Sequence, residues 1–95
     1  MTACWGSESR KEEERVAAAL TKLDALVVAK SMPAVQQQLQ EDQRRWQQFV
    51  EGHCGLYGEL YGGGSAGPMT VAACRWQLAQ SRVQQLADLT VDLDR

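Results

Sequence analysis

The chain has 95 residues, with 10 lysines and arginines against 12 aspartates and glutamates and a formal net charge of −2. That length fits one domain over residues 1–95, and the charge lacks the basic footprint that nucleic acid demands. A membrane span needs ~20 consecutive apolar residues, and the longest uninterrupted apolar runs, Val16–Leu20 and Ala25–Ala29, are far shorter.

The first helical segment is expected from about Ser9 to Ala29. Ser9 and Glu12 have capping-box spacing, and Glu12, Glu13 and Glu14 place negative charge at the positive end of the helix dipole. Val16, Leu20, Leu23 and Val27 then repeat at i, i+4, i+7 and i+11, one apolar stripe. An earlier start through Trp5 is disfavoured by Gly6 without being excluded. Lys30, Ser31 and Met32 read as a short turn, and Pro33 suits the first turn of a second helix running to about Glu51. Val35, Leu39, Trp46, Phe49 and Val50 supply its apolar face, with Asp42 and Gln43 making the middle of the seam partly polar. Its many glutamines read as a solvated face.

Gly52 is expected to end that helix. From Gly52 to Gly67 seven glycines interrupt the chain, which predicts a loop of ~15 residues, long for a plain connection. Pro68 opens a third helix to about Val91, striped by Ala72, Trp76, Ala79, Val83 and Leu86, with a fraying tail beyond. The short turn at 30–32 makes the first two helices antiparallel neighbours. The expected fold is all-α, a three-helix up-down-up bundle with a glycine-rich loop between helices two and three.

That topology gathers Cys4, Cys54 and Cys74 at one end. A Cys54–Cys74 bridge closes a loop of ~20 residues and stabilises by about 3 kcal/mol on the chain-entropy view. The spacing equally allows both to be reduced, buried, small apolar residues.

Gln43, Trp46, Phe49 and Cys54 stand as Q-x-x-W-x-x-F-x-x-x-x-C. Gly63-Gly64-Ser65 and then Pro68-Met69 follow, and Cys74, Arg82 and Leu86 stand as C-x7-R-x3-L. In order and spacing this resembles the bacterial family named for the lysozyme inhibitor LprI, over about residues 1–87. The chain departs from the pattern at Leu20, Thr21 and Asp24, where L-N-x-x-Y is common. Two further departures are Phe49-Val50-Glu51, where an aromatic-Arg-Asp triplet is common, and Ala79, where Thr is common. The resemblance implies export, a helical fold and a Cys54–Cys74 disulfide. It makes Cys4 an odd cysteine and Met1-Thr2-Ala3-Cys4 an interior segment, so the chain is expected to be truncated at its N-terminus and to lack its export signal.

Other chemistry is weaker. Cys4, His53, Cys54 and Cys74 can be read as a zinc set, but no C-x2-C pair supports it. His53 is expected to face the dipole at a helix C-terminus. Glu51 and Glu59 carry no sign of a catalytic carboxylate pair. Gly62-Gly63-Gly64-Ser65 lacks the lysine and the preceding strand of a phosphate loop. Arg82 is expected to reach a carboxylate or a loop carbonyl, a structural role. The chain is therefore expected to be no enzyme and to use no metal or cofactor. It reads as a periplasmic or extracellular protein that binds another protein. The resemblance implies inhibition of a lysozyme-type hydrolase. Leu56, Tyr57, Leu60 and Tyr61, four large residues among glycines, are expected either to cap the open end of the core or to form a contact surface. In the second case Tyr57, Glu59, Tyr61 and Ser65 on the loop plug the partner's cleft. The alternative is a cell-envelope structural or assembly module that binds no lysozyme.

Overall fold

The computed structural model describes residues 2–62, 64 and 66–95, apart from the side chains of residues 2–5. Three helices account for nearly all of it: α1 (Thr2–Ala29), α2 (Pro33–Tyr61) and α3 (Ala66–Asp94). At ~1.5 Å rise per residue each is about 42 Å long, close to the full length of a molecule measuring 49 × 21 × 15 Å. The all-α expectation holds, but every helix is longer than the sequence suggests.

Helix α1 passes through Gly6, so Ser9 and Glu12 are not a capping box. Both lie inside the helix and are buried, and Glu12 pairs with Arg15 one turn on. Met32 caps α2 with Pro33 in its first turn, as expected. In the turn before it, the Met32 amide donates to the Val27 carbonyl at 3.2 Å and the Ser31 amide to Val28 at 3.0 Å. This is the paired bonding of a helix that ends in a left-handed residue, and Ser31 has φ of 54°. Helix α3 begins before Pro68, whose missing N–H costs nothing in a first turn. At its other end the tail expected to fray is helical through Asp94.

Most of the expected loop is helix. Gly52 does not end α2. Residues 52–61 continue the helix to Tyr61, and Gly62, with φ of 60°, caps it by donating its amide to the Gly58 carbonyl at 3.0 Å. Only 62–65 separate α2 from α3, and Gly63 and Ser65 lie outside the described residues.

The core has two parts. One comprises Val16, Leu23, Val27, Leu39, Ala79 and Leu86, with Met32, Val83 and Leu93 packed against it. The other surrounds Val50, Cys54 and Cys74, flanked by Tyr57, Val71 and Leu78. Trp46 packs against both. The predicted stripe of α1 is thus core, whereas Phe49 is more than half exposed and Val35 is exposed at 36%.

Arg82, which lies on α3 between Ala79 and Leu86, is only 4% exposed. Its Nε donates to Gln43 Oε1 at 3.0 Å, one Nη to Asp42 Oδ2 at 2.9 Å and the other to Gln85 Oε1 at 3.1 Å. The guanidinium also lies 5.8 Å from the centre of the Trp46 ring, within cation–π range. The carboxylate that the sequence anticipated is therefore Asp42 on α2, not a group of the loop. Gln43 is buried, so losing its donor strands a buried amide oxygen at ~1–3 kcal/mol. Arg82→Met should lower the melting temperature by ~10 °C. Arg82→Met with Gln43→Leu should recover part of the loss, because no buried polar group is then left alone. Thermal unfolding of both variants checks this, and a double variant no better than the single one contradicts it.

Candidate partner-binding face

The last turns of α2 contain Gly52, Gly55 and Gly58, each about 1 kcal/mol worse than alanine inside a helix. What holds them helical is α3. Cys54 and Cys74 form a disulfide with Cα atoms 5.6 Å apart, inside the ordinary range for such a bridge. Both sulfurs are buried against Val50, Tyr57, Val71 and Leu78. The helices approach closely beyond the bridge. A Cβ on Gly58 would lie 3.6 Å from Val71 Cγ2, and one on Gly67 would lie 3.1 Å from the Gly62 carbonyl oxygen. Gly67 permits the approach of the cap, whereas a Cβ on Gly58 would make an ordinary contact and one on Gly52 or Gly55 would meet nothing within 4 Å.

With Val50 and Cys54 turned inward, Phe49, His53, Leu56 and Leu60 fall on the outer face at i, i+4, i+7 and i+11. Phe49 and Leu56 are more than half exposed, and Leu60 is 76% exposed. The Phe49 and His53 rings stack at 5.2 Å with planes 8° apart, and Tyr57 meets His53 edge-on at 5.9 Å. The result is an apolar and aromatic ridge without cover, beside a helix face that is already buried.

The expected contact residues flank this ridge. Tyr57 is half-buried, joining the ridge to the disulfide cluster, so it is both core cap and surface. Tyr61 is more than half exposed on the side nearer Cys54, and Glu59 is exposed on the opposite flank. Tyr57, Glu59 and Tyr61 thus lie on the last turns of a helix rather than on a loop, with Glu59 and Tyr61 on opposite flanks. Ser65 lies outside the described residues. Phe49, expected on the apolar face of α2, is instead exposed, while Leu56 and Leu60, expected either to cap the core or to form a contact surface, are exposed as well. His53 sits within α2, not at its C-terminus, and Cys54 and Cys74 are consumed by the bridge, which removes two ligands of the zinc set. The Cys4 side chain lies outside the described residues.

Gly52→Ala and Gly55→Ala should each stabilise the protein by ~0.5–1 kcal/mol, because each exchanges a flexible helical residue for alanine in open space. Gly67→Ala should instead lower the melting temperature, because its nearest neighbour is a backbone carbonyl of the cap. Calorimetry on the three variants checks the pattern, and a loss at position 52 or 55 would contradict the helical placement.

Comparison with known proteins adds one finding. No curated protein and no solved structure gives a significant match. The family model described as lysozyme inhibitor LprI matches residues 1–86, nearly the whole of the chain, and the protein therefore belongs to the LprI family.

Proposed function

We propose that the chain inhibits a lysozyme-type cell-wall hydrolase in the periplasm or outside the cell, as a binding protein and not as an enzyme. Family membership over residues 1–86 is the observation that carries this reading. The disulfide supports an oxidising compartment, and no helix among the described residues is long and apolar enough to cross a membrane.

The contact we assign is the end of α2, with Leu56, Leu60 and Tyr61 as apolar anchors, Tyr57 as their base and Glu59 at the rim. Ser65, expected at the same contact, lies outside the described residues. Amphipathic tyrosines and exposed apolar anchors on a rigid support are common recognition devices. The bridge reduces the ordering cost of binding by fixing the helix end before contact. Many lysozymes are basic, so Glu59 favours encounter more than affinity.

An up-down-up order of helices belongs to the same reading. Glu13 pairs with Arg75, Asp42 with Arg82 and Cys54 with Cys74. The partners of α3 thus descend along α2, and the short connections favour reversal at each turn.

The test is inhibition by the oxidised chain across a panel of lysozyme types. At least one should be inhibited. Leu60→Glu and Tyr61→Ala should weaken inhibition about 10- to 100-fold, or ~1–3 kcal/mol per anchor, at unchanged melting temperature. Tyr57→Ala should lower both inhibition and stability. Failure to inhibit any lysozyme rejects the function in favour of a cell-envelope assembly module. Full inhibition by the Leu60 and Tyr61 variants rejects the surface.

A further inference from the structure

At the opposite end of α2 the molecule has a second apolar feature. The first turns of α2 and the last turns of α3 stand apart, leaving a groove of about 520 Å³. Leu23 and Val27 of α1 form its floor, both 1% exposed. Val35 and Leu39 line one wall, and Leu89 and Leu93 the other. Val35 and Leu89 remain 36% and 43% exposed, because nothing among the described residues closes the groove above them.

The charges along this groove have one sign. Among the described residues, its charged lining consists of Asp42 and Asp92. Asp42 gives one oxygen to Arg82 yet keeps a side chain 54% exposed. Asp92 lies in the last turn of α3, which holds no basic residue. A carboxylate there meets the negative end of the helix dipole, an unfavourable placement that a nearby cation would relieve. An apolar trough between two helices, floored by a third and rimmed by carboxylates, has the shape and charge for one more helix.

We propose that this groove docks a basic amphipathic helix of a partner protein. The apolar stripe of that helix lies against Val35, Leu39, Leu89 and Leu93, and its lysines or arginines reach Asp42 and Asp92. The site is separate from the Leu56–Tyr61 end of α2 and does not depend on lysozyme binding.

The probe is a synthetic helical peptide of ~15 residues, about four turns, with leucines at i, i+3, i+4 and i+7 spacing and lysines elsewhere. A twin peptide carries glutamates in place of the lysines. Binding to the oxidised full chain is measured by titration calorimetry and mapped by amide chemical shifts. The lysine peptide should bind about tenfold or more tightly than its twin, weaken with salt, and shift residues 34–42 and 86–93. Leu89→Glu should reduce its affinity about tenfold and Asp92→Lys by a smaller factor, while Leu60→Glu should change nothing. Equal binding of the twins, an unaffected Leu89→Glu variant, or shifts confined to residues 49–61 would overturn the proposal. Sedimentation of the free chain supplies the remaining arm. A dimer that Leu89→Glu dissociates would make a second copy the occupant and overturn the basic-helix assignment, and a monomer that binds the lysine peptide supports it.

Discussion

The Cys54–Cys74 bridge is the constraint on which this structure depends, because it turns a glycine-rich segment into a usable helix. Gly52, Gly55 and Gly58 together cost a free helix end about 3 kcal/mol relative to alanine. A bridge closing a loop of ~20 residues contributes a similar amount, about 3 kcal/mol, by restricting the unfolded chain. The two effects nearly offset, so the remaining packing of Tyr57, Val71 and Leu78 around the sulfurs decides the outcome. Glycine also takes part in the solution, since Gly67 lets the Gly62 carbonyl of the α2 cap come close at this end.

The rest of α2 is held by different means. Midway along, Arg82 gathers Asp42, Gln43 and Gln85 and lies beside Trp46. A buried guanidinium with three side-chain acceptors is directional, so it fixes how α2 and α3 register where two apolar surfaces alone would tolerate sliding. Arg75 and Glu13 tie α1 to α3 at 3.3 Å. Helices α1 and α3 form the most extensive pairing in the molecule, whereas α1 and α2 touch least. Helix α2 is thus fastened at its middle and at its bridged end and less firmly near Pro33. That difference produces two unlike surfaces, a pinned ridge at Leu56 and Leu60 and an open trough beside Val35.

Much of the scaffold was legible from residue order. The stripe Val16, Leu20, Leu23, Val27 names the face that α1 buries, Pro33 marks the start of α2, and the cysteine pairing followed from the family resemblance. The partly polar seam at Asp42 and Gln43 was visible too, though nothing local identified Arg82 as its partner across a gap of some 40 residues. The glycines misled because helix propensity describes an isolated segment, while here a covalent tether and close packing override it. Ser9 and Glu12 misled for a similar reason, since capping spacing carries meaning only where a helix begins. Phe49 counted as core because it adjoins Val50, yet the direction in which α2 faces α3 is set by Cys54 and leaves Phe49 outside. The trough beside Leu89 was not legible at all, since it arises from the separation of two helices.

Amide hydrogen exchange on the oxidised and reduced chain tests most directly whether the bridge holds the end of α2 helical. Reduction should remove protection from residues 52–62 while the amides of α1 near Leu23 and of α3 near Leu86 stay protected. Unchanged protection at 52–62 after reduction, or simultaneous loss throughout all three helices, would contradict it.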